Sequence, residues 1–342
     1  MQIFWFIVVA IFWTGFFVLE GFDFGVGILH TIVGRTDVEQ RVAINTVGPF
    51  WDGNEVWLIV AGAAIFAAFP AWYASMFSAL YLALVLVLLC LILRGVSFEW
   101  RSKHESTRWR RSFSLTMTVG SAVLPILFGV ALGDLLYGLP INQSGNYTGN
   151  FVNLLTPYGL WVGLTMFTLV IAHGATFLDL KATGIVRERA HRLATVLPWF
   201  AVVTVTVMAF WTQSLGSGGV VPGPVQLIAI IAIVAAAWSA RDNHTGWAFA
   251  ATAVAMAATV ASIFVELYPN VMVSSTNAAY NLTVSGTASS DYALKVMTIV
   301  ALIFTPLVLL YQGWNFYVFR ARVRGPGAPA ATSAAPSGAR SA

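Results

Sequence analysis

The chain has 342 residues, of which 58% are hydrophobic, 14% aromatic and only 9% charged, whereas an ordinary soluble domain carries roughly a quarter charged residues. That balance excludes a water-soluble enzyme and points to a membrane-embedded bundle, each crossing of which needs about 20 apolar residues. The net charge is +4 and Cys90, in the apolar run LVLVLLCLIL, is the only cysteine, which excludes an intrachain disulfide, a Cys-rich metal site and an iron–sulfur centre.

The N-terminus, MQIFWFIVVAIFW, lacks the positive segment of a cleaved secretory signal and is apolar for too long, so it predicts a retained first helix near residues 3–32. Further apolar runs predict helices near 51–69, 73–94, 114–137, 158–181, 196–214, 225–240, 246–267 and 294–319. Helices are the default, because lipid offers no hydrogen-bond partner to open backbone and a barrel of short alternating strands would not give unbroken runs. Pro70, Pro157, Pro198, Pro222, Pro224 and Pro269 punctuate the boundaries. Residues 1–320 therefore read as a single polytopic transmembrane domain of nine helices. Residues 321–342, rich in Ala, Pro, Gly and Ser, read as a disordered cytoplasmic tail.

Lys and Arg decide orientation. Arg35 and Arg41, the run from Arg94 to Arg111, Lys181 to Arg192, Arg241, and Arg320 onward fall in alternate loops, leaving only Lys295 of 18 on the other side. The N-terminus is thus expected outside and the C-terminus in the cytoplasm. The basic loop RSKHESTRWRR reads as an orientation and anionic-lipid signal rather than a nucleic-acid site. Trp72, Tyr73, Trp100, Trp161 and Trp314 flank the spans as an aromatic belt does.

Charges inside apolar spans carry the chemistry, because each costs at least about 2.5–3.5 kcal/mol at mid-helix and persists only with a partner, water or a task. Glu20 and Asp23 stand three apart on the first helix, and Asp52 and Glu55 three apart on the second, within WDGNEVW. Both pairs fall in the cytoplasmic half of the membrane. Arg94 is the obvious counter-charge and Arg101 a second. Such a row can relay protons, bind a cation or simply pin helices together, and for Asp52 and Glu55 capping of a helix N-terminus is a further alternative. An ion-coupled secondary transporter could use the same acids. Gly21 and Gly25 form a small-xxx-small stripe that reads as close helix packing. His173, well inside a span, reads as a hydrogen-bonded packing residue rather than a haem ligand, for which Met166 would be the partner. His30, His104, His191 and His244 read as solvated or interfacial.

The strings GFDFGVG at 21–27, NTVGPFWDGNEVWL at 45–58, RGVSFEWRSK at 94–103, HGATFLDLKATG at 173–184 and PNVMVSSTNAAYNLTV at 269–284 resemble the signature segments of subunit II of the cytochrome bd quinol oxidases. The similarity extends to about Phe319. It implies an all-α integral membrane protein of two four-helix bundles plus one peripheral helix, in a prokaryotic inner (plasma) membrane. The partner it implies is a larger haem-carrying subunit I, often joined by very small single-helix subunits. The complex it implies is a terminal oxidase of the aerobic respiratory chain, which oxidises quinol, reduces O2 to water and builds membrane potential without pumping. On this resemblance two haem b and one haem d belong to subunit I. This chain is expected to bind no cofactor, although some relatives hold a structural quinone in this subunit. Asp52 matches a position proposed to pass protons across the subunit interface, Trp57 one near the mouth of a proposed lateral O2 channel, and Arg94 a basic residue beside them. The expected proton pathway is Asp52, Glu55, Glu20, Asp23 and Arg94. Phe50 stands where some relatives have a polar residue, which weakens a proton-wire reading. Glu55 stands where some have Gln, which strengthens it.

Overall fold

A computed structural model describes residues 1–325 except 217 and 220. In chain order the helices are α1 (Gln2–Val33), α2 (Asp37–Asn45), α3 (Trp51–Ala68), α4 (Pro70–Ala79), α5 (Tyr81–Trp100), α6 (Thr107–Tyr137), α7 (Pro157–Lys181), α8 (Gly184–Leu215), α9 (Pro224–Arg241), α10 (Thr245–Leu267), α11 (Val284–Thr287) and α12 (Asp291–Val318). A two-stranded hairpin, β1 (Asn270–Met272) and β2 (Leu282–Thr283), sits in the loop before α11. Among the described residues eight helices, α1, α5 to α10 and α12, are long and apolar enough to cross a membrane. Helix α3, with 18 residues, is of similar length but opens with Asp52, Asn54 and Glu55.

Several boundaries differ from the sequence reading for physical reasons. The run near 73–94 is two helices: Pro70 opens α4, where its missing N–H costs nothing, and α4 gives way to α5 at Leu80. Helix α8 begins at Gly184 rather than near 196, with Arg187, Arg189 and Arg192 in its polar first turns, which a search for apolar runs does not register. It continues through Pro198, which is therefore no boundary. Helix α2 has no apolar run at all. Its start is fixed by a capping box in which Thr36 accepts from the Glu39 N–H while Glu39 reaches back to the Thr36 N–H.

Helix α1 is the hub, packed against α3, α6, α7 and α10. Helices α3 to α6 gather on one side of it and α7 to α10 on the other, with α6 and α7 in contact. The seam between them is aromatic: Phe16 and Phe128 meet edge to face at 5.2 Å, with Trp13, Phe17 and Phe24 around them. Trp72, expected in the interfacial belt, is instead fully buried in this core. Helix α12 is peripheral, with Leu294 its only buried residue.

The acids of α2 clamp both sides. Asp37 receives Arg101 and Arg110, each at 2.9 Å, while Glu39 receives Arg189 of α8 at 2.7 Å. Arg101 therefore serves Asp37, Gln40 and Ser114 rather than the acids of α1 and α3 as expected. His30, expected at an interface, is buried and bonds the Gly27 carbonyl at 2.7 Å. The start of the expected disordered tail is held: the Val323 N–H donates to Lys181 O, Thr183 Oγ1 donates to Val323 O, and Lys181 Nζ donates to Ala321 O. The rest of that tail, 326–342, lies outside the described residues.

The Arg35 N–H first, and the Arg189 guanidinium with it, hold the Glu39 carboxyl below the usual carboxylate range. A depressed folded value means that the stabilisation is present above the unfolded pKa, about 4.3, and is lost as pH falls through the folded value. Glu39→Gln is thus expected to lower the thermal unfolding midpoint of the detergent-solubilised protein at pH 7. Repeating the melt at stepwise lower pH should show the gap to wild type closing below about pH 4. A gap that is constant with pH contradicts the assignment.

Candidate functional site: a buried acid cluster around Arg94

Helix α1 carries Glu20 and Asp23 into the interior because every residue from Glu20 to His30 is buried, so two residues three apart can both be fully enclosed. Helix α5 brings Arg94, also fully buried, from the opposite side. Its Nη1 lies 2.5 Å from Glu20 Oε1 and 3.2 Å from Glu55 Oε2 of α3. The guanidinium carbon lies 4.8 Å from the Phe24 ring centroid and 5.1 Å from that of Phe98, so the cation is held between two aromatic faces. Arg94 Nε and Nη2, Glu20 Oε2 and Asp23 Oδ1 are buried with no hydrogen-bond partner among the described residues. These are the polar atoms that a water molecule or a migrating proton would engage.

A second, neutral layer orders the acids. Asn54 of α3, buried, donates its Nδ2 to Asp23 Oδ2 at 2.7 Å and to Leu19 O at 3.2 Å. Its Oδ1 accepts from Gln312 Nε2 of α12 at 2.8 Å, and Gln312 Oε1 accepts from Trp57 Nε1 at 2.9 Å. Neither amide carries a charge, so neither stands out in an apolar run as the acids do. A glutamine in an apolar span was the available signal, since an amide carried into lipid also needs partners.

Of the expected site residues, the structure brings together Glu20, Asp23, Glu55 and Arg94. Asp52 stays outside: it is exposed, makes no hydrogen bond or ion pair among the described residues, and reaches Glu55 only through its charge. Glu55 lies between, with its side chain 23% exposed. The order Asp52, Glu55, then Glu20 and Asp23 thus runs from surface to interior. Trp57 packs edge to face on Phe12 and points its N–H at α12. It does not line the large apolar groove, of about 1040 Å³, between α3 and α5, which runs from Trp51, Asp52 and Glu55 to Trp72.

Two further buried acids escaped the sequence reading. Asp134 near the end of α6 accepts from Thr156 Oγ1 at 2.6 Å, and Thr156 in turn caps α7 through the Gly159 N–H. Asp179 takes His191 at 2.9 Å and Arg187 at 3.3 Å. Both read as anchors of α7. His173 bonds Thr252 Oγ1 at 2.7 Å and Val18 O at 3.1 Å and stacks on Phe249 at 4.6 Å, as a packing histidine does.

The cluster can hold and exchange protons. Two carboxyl groups, Glu20 and Glu55, share one guanidinium with Asp23 beside them, so a proton can arrive at or leave one carboxylate without abolishing the charge pairing that keeps the site buried. The whole-chain comparison fits that chemistry: the family model described as "Cytochrome bd terminal oxidase subunit II" matches residues 1–319. This chain belongs to that family. A relative from Bacillus subtilis (strain 168), "Cytochrome bd ubiquinol oxidase subunit 2", is 42% identical over 325 residues, covering 93% of this chain and 96% of the relative. "Cytochrome bd-I ubiquinol oxidase subunit 2" of Escherichia coli (strain K12) is 35% identical over 360 residues, covering 94% and 95%. Among solved structures, "The structure of bd oxidase from Geobacillus thermodenitrificans" superimposes with a TM-score of 0.72 at 17% identity over 93% of this chain and 96% of that one, which shows a shared fold. The family places this chain as a multi-pass subunit of an oxidoreductase complex in the bacterial inner membrane, with a subunit I as partner. An ion-coupled secondary transporter is not supported.

Proposed function

We propose that this subunit carries no haem and supplies cytoplasmic protons to a haem-bearing subunit I, in a complex that oxidises quinol and reduces O2 to water. Oxygen reduction consumes a proton for every electron, so a buried reaction centre needs a proton-conducting route. The observation that carries the reading is the graded series of acids ending at Arg94. A proton enters at exposed Asp52, passes to half-buried Glu55 and reaches the fully buried Glu20 and Asp23, while Arg94 stays charged and limits the cost of each carboxylate. The Lys and Arg distribution supports the matching topology of nine crossings, with the N-terminus outside and this acid series opening to the cytoplasm.

Haem supplies the electron-transfer and oxygen chemistry of the complex, and this chain's candidate ligands do not fit it. His173 has both ring nitrogens hydrogen-bonded. Met166 stands seven residues away on the same helix, about 10 Å along its axis, so the two cannot flank one iron. Assignment of two haem b and one haem d to subunit I, with small single-helix subunits alongside, is part of the proposal. The groove between α3 and α5 fits the prenyl chain of a structural quinone: its walls are apolar, and Trp72, which lines it, has a buried Nε1 without an acceptor among the described residues. For oxygen, which needs only an apolar passage, Trp57 and its Phe12 neighbour are the proposed lining.

Asp52→Asn keeps the shape and removes the titrating group. The assembled variant is expected to keep normal haem content and to lose about tenfold or more of its quinol oxidase turnover, the scale of a removed proton-transfer group. Full turnover at normal haem content rules out Asp52 as the entry point.

A further inference from the structure

Helix α12 is held near the acid cluster by polar contacts and by Phe316, which stacks on Phe50 at 4.6 Å. Its only buried residue, Leu294, lies at the other end. At the cluster's level, Gln312 bonds Asn54 and Trp57, and Asn315 Nδ2 donates to Pro49 O at 3.0 Å. The chain of amides from Trp57 to Asp23 has one possible polarity. An indole N–H can only donate, so the Gln312 oxygen must face Trp57 and its NH2 must face Asn54. That turns the Asn54 oxygen toward Gln312, and leaves the Asn54 NH2 to meet Leu19 O, which can only accept, and Asp23 Oδ2. Every member is used and every donor points toward Asp23.

We propose that Gln312 is a positioning residue of the proton pathway: by accepting from Trp57 and donating to Asn54, it keeps an N–H rather than a C=O presented to Asp23. An amide presents either a donor, which favours a carboxylate, or an acceptor, which favours a carboxylic acid. With Gln312 in place the choice is fixed. Without it, the Asn54 oxygen has no donor, and the donor face toward Asp23 is held only by the longer 3.2 Å bond to Leu19 O. The inference rests on the proton-pathway reading above. The charged and titratable groups facing Asp23 are Glu20 on its own helix, Glu55 on α3 with Asp52 beyond it, and Arg94 on α5. His173 of α7 bonds Val18 O and Thr252 rather than Asp23. Gln312 adds no charge to this set, so its effect is exerted through Asn54.

The test is a cycle in the assembled oxidase: wild type, Gln312→Met, Asp23→Asn and the double variant, each assayed for haem content and for turnover across pH. Gln312→Met is expected to retain haem, to slow turnover about tenfold and to displace the pH–rate profile by about one unit, the scale of one hydrogen bond to a charged group. In the Asp23→Asn background the same change should add nothing, because the group it acts on is gone. An unchanged rate and profile in Gln312→Met overturns the proposal, as does an equal slowing in both backgrounds. Full turnover in the single Asp23→Asn variant overturns the pathway reading itself, which separates the two failures. If Gln312→Met loses haem, Gln312→Leu is the second variant, since it likewise adds no charge and offers Asn54 neither donor nor acceptor, and the same displaced profile is expected. Loss of assembly in both variants assigns Gln312 to structure alone and overturns the proposal.

Discussion

Arg94→Met is expected to remove most assembled oxidase from the membrane. Methionine fills similar space between Phe24 and Phe98, but Glu20 and Glu55 then lose their shared cation. Breaking a buried pair from one side costs about 3–5 kcal/mol, because the remaining charge is left uncompensated. That is a large share of the roughly 5–15 kcal/mol that holds a typical domain together. Arg94→Lys is expected to recover only part of the loss, since one ammonium cannot spread flat between two rings and reach both carboxylates. The decisive comparison is Arg94→Met with Glu20→Gln, which removes the stranded charge as well and should restore yield. Haem absorbance per membrane protein and the unfolding midpoint of the purified complex report the outcome. Wild-type values for Arg94→Met alone would show that the guanidinium does not hold the cluster.

The acids of this site were legible because a charge in an apolar run is rare and expensive, and Glu20, Asp23 and Arg94 announced themselves on that ground. The fate of Asp52 was not legible. Residues three apart on a helix differ by about 60° around the axis. On α1, buried at every position from Glu20 to His30, both directions point inward, so Glu20 and Asp23 are both buried. On α3, one side of which borders the groove, Glu55 reaches Arg94 and Asp52 is turned outward. Spacing gives the angle between two side chains but not which neighbours stand at each angle. Asn54 was hidden for the same reason, since a neutral amide at a helix start shows its cost only when its surroundings are known, whereas Gln312 stands visibly inside an apolar run. The long helices were legible from apolar runs. The break at Leu80 and the polar start of α8 were not, because hydropathy tracks lipid contact rather than backbone hydrogen bonding. The capping box at Thr36 and Glu39 was readable in principle, as a Thr-x-x-Glu pattern without an apolar run after it.

The glycine stripe of α1 supports a prediction in which two like residues behave oppositely. A Cβ on Gly25 would lie 2.6 Å from the Gly174 Cα and 2.8 Å from the Gly174 nitrogen of α7, and a Cβ on Gly174 would meet the Gly25 backbone at 2.5 Å. Backbone faces backbone here, so no side chain can swing aside. A Cβ on Gly21 would meet the flexible end of Met256 at 3.4 Å and ring carbon Cδ2 of His173 at 3.7 Å. Gly25→Ala is therefore expected to force α1 and α7 apart at a cost of about 1–3 kcal/mol, and Gly25→Val to cost more. In lipid the loss is not softened by water leaving apolar surface, because helix association there rests on close packing itself. Gly21→Ala is expected to be neutral or to stabilise by up to about 1 kcal/mol, the helix-propensity gain of alanine over glycine. Unfolding midpoints of the two alanine variants, measured side by side in the same detergent, check this directly. Equal destabilisation would mean that the stripe acts as one uniform packing surface. The sharper loss at Gly25 would also reach the acid cluster, since Asp23 lies two residues away on the same turn and Phe24, against Arg94, lies between them. Gly25→Ala should therefore reduce turnover per haem as well as stability, while Gly21→Ala leaves both near wild type.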